Sequence, residues 1–313
     1  MLKFWYQMID RYGKKKVYFL TYLTIIGLLA LWFKYLTHKG IYNSAMLYVL
    51  VPYVVSVLIT LFRTAKAPKG LFSEFFSHVL TAITILFSTS ILVGEGFICI
   101  LFFAPIYLII VSLTYVLLAL LGNKDKKYSF ALPVLFIALS MEGTTGSLSL
   151  SRENSIEVTQ STNLTVNEIK ANLAKPFDLN KERNWLIAIF PMPYHIEAGS
   201  LQAGDVHTVY TRYHRWFITN THEGKAELLI EEVSENKIKT RVLSDDTYFS
   251  TYLNGSGTEI ELLPNELGGT DITLRIHYRR NLDPAWYFHP LQKYGVTRMG
   301  EFLIQEIMVR NNI

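Results

Sequence analysis

From Val79 to Leu121 the chain runs for 43 residues with a single charged side chain, Glu95, set between Gly94 and Gly96. Nothing else in the sequence restricts the fold so severely. A hydrocarbon core is about 30 Å thick and a helix needs about 20 apolar residues to cross it, so this run accommodates two crossings. The only break is Gly94-Glu95-Gly96, which predicts a tight turn between helices over 79–93 and 97–121 and sets Glu95 at a membrane surface.

The remaining first half follows suit. Val17–Leu36 and Ala45–Phe62 read as two earlier spans, the second carrying Pro52, which membrane helices tolerate when neighbours satisfy the freed carbonyl. A fifth, shorter segment over 129–148 completes the set. Lys/Arg residues gather before the first span (Lys3, Arg11, Lys14–Lys16), after the second (Arg63, Lys66, Lys69) and after the fourth (Lys124, Lys126, Lys127). Those are alternate sides, cytoplasmic by the positive-inside rule, so a crossing fifth segment, the favoured reading, places the second half outside, and one that only lies in the interface leaves it cytoplasmic. Lys3 and Lys14–Lys16 precede a run too long for a cleavable signal, and the first segment is expected to stay attached. Cys99 is the single cysteine, which excludes an intrachain disulfide and a cysteine zinc site.

Charge separates the halves. Residues 1–150 carry 13 Lys/Arg against 5 Asp/Glu, and residues 151–313 carry 17 against 21. The acidic balance of the second half argues against a nucleic-acid partner. From Leu150 onward, continuous apolarity gives way to alternation. "SIEVTQSTNLT" reads as a strand, and the stretch around Pro176 as two short amphipathic helices. A series of strand-like runs follows, separated at Glu223-Gly224, Glu235-Asn236, Asn254-Gly255-Ser256-Gly257 and Gly268-Gly269. The chain closes with a helix expected to start at Asp283-Pro284, with Asp283 as cap, Pro284 in the first turn, and a buried stripe through Phe288, Leu291, Gly295, Met299, Phe302, Leu303 and Ile307.

Strand, two short helices, meander and long final helix resemble the START-like or SRPBCC superfamily, also called polyketide-cyclase-like. The closer resemblance is to its bacterial membrane-tethered members, carried by "YRRNLDPAWYFHPLQKYGV" (Tyr278–Val296) and "GEGFICILFFAP" (Gly94–Pro105). The resemblance implies an α+β helix-grip domain over 151–313, an antiparallel sheet around the last helix, behind a polytopic helical membrane domain over 1–150. It implies a cavity for apolar molecules, and no particular reaction.

Candidate ligand contacts are Tyr210, Tyr213, His214 and Trp216 on one strand, and Arg279, Arg280, Asp283, Trp286 and Tyr287 at the start of the final helix. Alternation puts Tyr213 with His207 and Arg215 on one face, and Tyr210, Arg212, His214 and Trp216 on the other. Ordinary aromatic packing is the competing reading for these residues. Asp283 pairing with Arg279 or Arg280 while Trp286 and Tyr287 cover the sheet end is the structural reading of the second group. Glu95, with Cys99 one turn later, is a candidate coupling point at the membrane face, against a solvated turn residue. The histidines lack zinc-ligand spacing, so no metal is expected, and no cofactor. Asp283, Tyr278, Tyr287 or a histidine would be the acid/base group of an enzyme, but no nucleophile motif accompanies them.

The sequence thus reads as a multi-pass inner-membrane protein whose outward domain holds a lipid, isoprenoid or polyketide-like molecule. Its partners would be membrane lipids, that hydrophobic ligand and another membrane subunit. The alternatives are an assembly factor for a membrane complex and a cyclase- or hydrolase-like enzyme.

Overall fold

The computed structural model describes residues 43–62, 70–93, 97–121, 128–145, 148–178, 192–216 and 219–309, with scattered positions before residue 43. The chain divides into two compact units, Met1–Leu150 with Leu282–Ala285, and Ser151–Asn281 with Trp286–Ile313.

The first unit is helical. A π-helical segment, Met46–Leu50, leads into α1 (Val51–Phe62), followed by α2 (Leu71–Val93), α3 (Phe97–Leu121) and α4 (Tyr128–Ser140). Two helices are long and apolar enough to cross a membrane by length and composition, through Leu71–Ser88 and Ile100–Leu120. The count of five spans goes beyond this: Val17–Leu36 lies largely outside the described residues, and Met46–Thr60 and α4 are shorter apolar helices. Helix α2 starts eight residues before the expected Val79, because Glu74 and His78, which end the charge-free run, are taken into the helix. Helix α4 stops at Ser140 instead of Leu148, and a turn over 141–145 leaves Glu142 outside it.

Around an apolar interior, the helices of this unit enclose several polar side chains and expose large apolar ones. Ser44, Ser56, His78, Thr114 and Ser140 are buried, whereas Leu71, Phe72, Phe76, Leu80 and Phe87 of α2 and Ile109, Leu113 and Leu120 of α3 are exposed. Ser56, His78, Thr114 and Ser140 bond inside the bundle. Tyr107 of α3 donates to the Ala82 carbonyl of α2 at 3.0 Å. The Ser56 hydroxyl of α1 lies 2.9 Å from His78 Nε2 of α2 and 3.3 Å from the Val111 carbonyl of α3. Tyr53 stacks on Phe136 of α4 with ring centroids 4.6 Å apart.

The second unit is an eight-stranded antiparallel sheet with a long final helix. Its strands are β1 (Glu153–Thr162), β2 (Phe177–Asp178), β3 (Met192–Glu197), β4 (Val206–Trp216), β5 (Thr219–Val233), β6 (Lys237–Asp245), β7 (Leu253–Pro264) and β8 (Thr270–Arg280). Their order is β1-β8-β7-β6-β5-β4-β3-β2, a meander closed on one side by the first strand. Helix α5 (Val166–Leu173) follows β1, and α6 (Ala285–Leu303) runs into a π-helical turn, Ile304–Met308. This is the α+β helix-grip arrangement expected from the order of elements. The second of the two short helices expected around Pro176 falls mainly on 179–191, outside the described residues; Phe177–Asp178 is strand.

Two separators read from the sequence fall inside strands. Glu223-Gly224 sits within β5, where a Cβ on Gly224 would come within 2.6 Å of the Asp246 carbonyl; the glycine serves a close backbone approach. Asn254 to Gly257 lies in β7, where the register shifts between Gly255 and Gly257. The hairpins at Asn236 and Gly268-Gly269 are turns as read, with Gly268 at φ +82°. "TYFSTYL", read as a strand, begins with a 3₁₀ turn, Tyr248–Thr251.

The core between sheet and helix is aliphatic. Ile156 and Val158 of β1, Ile238 of β6, Ile260 and Leu262 of β7, and Ile272 and Leu274 of β8 pack with Ile169 of α5, Val296 of α6, Ile304 and Met308. Each such side chain contributes about 1.5–3 kcal/mol on burial. The stripe expected on the final helix holds at Phe288, Leu303 and Ile307 and shifts between them, where Val296, Gly300 and Ile304 are buried and Gly295 is exposed. Gly300 sets the approach to the sheet, since a Cβ there would lie 3.0 Å from Val158 Cγ2.

Candidate functional site

Strand alternation decides which side chains look toward α6. On β8 the even positions Thr270, Ile272, Leu274, Tyr278 and Arg280 are buried. The register carries that face through Thr258 and Thr240 to Ile230, and onto β4 at His207, Val209, Thr211 and Tyr213. The inner face therefore has two characters. Over β1, β8, β7 and β6 it is packed with branched aliphatics as far as Tyr278 and Arg280 at the end of β8, and over β4 and β5 it carries rings and polar tips.

Tyr213 is 2% exposed and stacks on Tyr248 at 4.3 Å between centroids. Tyr248 meets Tyr252 edge-on at 5.5 Å and His222 at 5.8 Å. The Tyr252 hydroxyl donates to that of Tyr248 at 3.1 Å. Further along β4, His207 Nε2 is 2.7 Å from the Ser200 carbonyl, an oxygen that only accepts, so Nε2 carries a proton. Asp205 beside it accepts from the Ser200 hydroxyl and the Gln202 amide, which hold its carboxyl below the usual range.

At the other end of this face stand Tyr278 and Arg280, both fully enclosed. Burial raises the Tyr278 phenol above its ordinary value, against the opposing charge of Arg280. On α6, Phe288 is buried, and Gln292 donates through Nε2 to the Tyr252 carbonyl at 3.0 Å.

The candidate residues scatter accordingly. Tyr213 and Arg280 share the inner face. Tyr210 is on the outer one, donating to Glu197 at 3.0 Å, a bond that raises its phenol. Arg279 is exposed, 3.7 Å from Glu153. His214 and Trp216 pair with Thr221 and Thr219 across the hairpin, and their side chains lie outside the described residues. Trp286 is half-exposed, its ring edge-on to Tyr287 at 5.9 Å, and Tyr287 meets Phe288 at 5.0 Å.

Asp283 is buried within the first unit, where it accepts from the Ser149 hydroxyl at 3.1 Å, and the Ala285 amide at the start of α6 donates to Glu142. Glu142 thus takes the place expected for Asp283 at that amide. The Asp283–Pro284 peptide is cis, and the helix starts at Ala285, one residue after the proline expected in its first turn. Glu95 lies outside the described residues; Cys99 is in α3, with its side chain outside them. Among the described residues no three His, Cys, Asp or Glu side chains gather as metal ligands.

The reading of the sequence missed Tyr248, Tyr252, His222 and Gln292. The i, i+4 spacing of Tyr248 and Tyr252 was available as a signal of a helical turn. Gln292 carried none, being a polar residue on the buried face of a helix.

No family model matches the chain, and no curated protein matches it. Among solved structures it is similar to Ara h 8.0201, at 9% identity and a TM-score of 0.30 over 46% of this chain and 91% of that one. It is similar to norcoclaurine synthase from Thalictrum flavum, at 12% identity and a TM-score of 0.33 over 51% and 90%. It is also similar to the Zhui aromatase/cyclase from Streptomyces sp. R1128, at 12% identity and a TM-score of 0.27 over 49% and 86%. The fold described above stands on strand order, register and the final helix.

Proposed function

We propose that this is a membrane-anchored binding protein whose helix-grip unit holds a hydrophobic ligand. The observation that carries the reading is the divided inner face: aliphatic packing secures the sheet to α6 on one side, and a cluster of rings with polar tips lines the other. Sites for small apolar molecules combine aromatic walls with a few placed polar groups. Tyr213, Tyr248 and Tyr252 supply the walls, and His207, Tyr278 and Arg280 the polar groups. Transfer of the ligand into the site is driven by about 25 cal/mol per Å² of apolar surface removed from water.

Anchoring is supported by the large apolar side chains exposed on α2 and α3 and by the length and apolarity of those two helices. The distribution of Lys and Arg supports an inner membrane with the second unit on the outer side. Native mass spectrometry of the detergent-solubilised full-length protein, with extraction of what it retains, tests the function. A stoichiometric apolar molecule, lost in Tyr213→Ala, is the expected result.

The second reading is assembly of a membrane complex, favoured by the filled aliphatic side of the grip. A stable protein that retains nothing and instead co-purifies with another membrane subunit would establish it.

A further inference from the structure

Two buried polar atoms, one on β8 and one on α6, lie on the seam between sheet and helix. The Tyr278 hydroxyl has no hydrogen-bond partner among the described residues, although the residue is 1% exposed. Gln292 Oε1 is likewise buried without a partner. Buried polar groups in folded proteins are almost always bonded, so two exceptions on one seam need a cause. Val296, one turn after Gln292, packs in the same cluster as Tyr278.

The orientation of the glutamine is fixed. Its nitrogen end lies 3.0 Å from the Tyr252 carbonyl, which accepts only, so the nitrogen faces Tyr252 and the oxygen points away from it. Oε1 then offers lone pairs alone, and the buried, un-ionised Tyr278 offers an O–H. A carboxylate or phosphate would set acceptor against acceptor at Gln292. A cation would be opposed by Arg280, two residues along the same face of β8. A hydroxyl satisfies both, donating to Oε1 and accepting from Tyr278.

We infer that Tyr278 and Gln292 form the polar end of the binding site, and that its ligand is a neutral apolar molecule bearing a hydroxyl group. The inference rests on the ligand-binding reading above and gives that ligand its chemical class.

The test uses three matched probes on the full-length protein in detergent micelles: 1-pyrenemethanol, 1-methylpyrene and 1-pyrenecarboxylate, read by native mass spectrometry. The alcohol should be retained at least about tenfold more strongly than the hydrocarbon, the order of one buried hydrogen bond. Tyr278→Phe should erase that preference while leaving the melting temperature of the ligand-free protein unchanged or higher, since it removes an unpaired hydroxyl.

Equal retention of alcohol and hydrocarbon in both proteins would overturn the inference and leave the binding reading standing. Strongest retention of the carboxylate would overturn the neutral class. A lower melting temperature for Tyr278→Phe would show that the hydroxyl has a structural partner, and would overturn the assignment. Retention of none of the three would overturn the binding reading itself.

Discussion

Single residues in this chain answer to distant partners as much as to their neighbours. Gly224 lies in the middle of β5, and an added methyl group would meet the Asp246 carbonyl and the Thr247 backbone. Gly224→Ala should therefore cost about 2 kcal/mol or more, because backbone atoms must shift to admit it; an unchanged midpoint in chemical denaturation would refute that. Read locally, Glu223-Gly224 is a turn, and no pattern within the strand reveals the segment after β6 that excludes a side chain. Gly268 was legible because its requirement is local, a left-handed backbone at φ +82°. His78 shows the same limit: it ends the apolar run in sequence, yet is enclosed by Ser56 and the Tyr115 ring at 4.8 Å. Ser56→Ala should lower the thermal stability of the solubilised protein by about 1–2 kcal/mol, and Ser56→Thr by less if its hydroxyl keeps the bond.

Elements with short-range signals formed as read, and those set by packing moved. Helix α5 has a reciprocal cap in which Thr165 and Glu168 exchange bonds, and the Thr165 amide and hydroxyl hold Glu168 below its ordinary value. Thr165→Ala should cost about 1 kcal/mol in unfolding free energy, with loss confined to α5 in hydrogen exchange. The buried stripe of α6 held at its ends and was misplaced in its middle, where the helix turns Val296 and Gly300 to the sheet, and only the sheet identifies that row. On the outer face, Arg241 bonds Glu231 at 2.6 Å with Lys239 3.3 Å away, and the pair holds Glu231 below its ordinary 4.5. A carboxyl lowered in the folded state stabilises above that ordinary value and loses its contribution as pH falls through the folded one. The gap in melting temperature between wild type and Glu231→Gln should be full near neutrality, narrow below pH 4.5 and close at lower pH. A constant gap would mean the ion pairs are not its source.

For the whole molecule, apolar helices joined to a helix-grip sheet were legible from run length, alternation and turn residues. The site was less so: alternation separated Tyr210 from Tyr213, but which face looks inward depends on where α6 lies. The protein should sediment with membranes and resist alkaline carbonate; release by carbonate would count against α2 and α3 as spans. The order of strands carries one more consequence. An open sheet ends in two borders, here β2, only two residues long, and β1, ten residues long. A border of that length invites a foreign strand, and this one bears Glu153 and Glu157 on its outer face, opposite Arg279 and Arg275. An intruding strand would have to strip water from those carboxylates, so acid, by neutralising them, should be what makes the protein aggregate through β1.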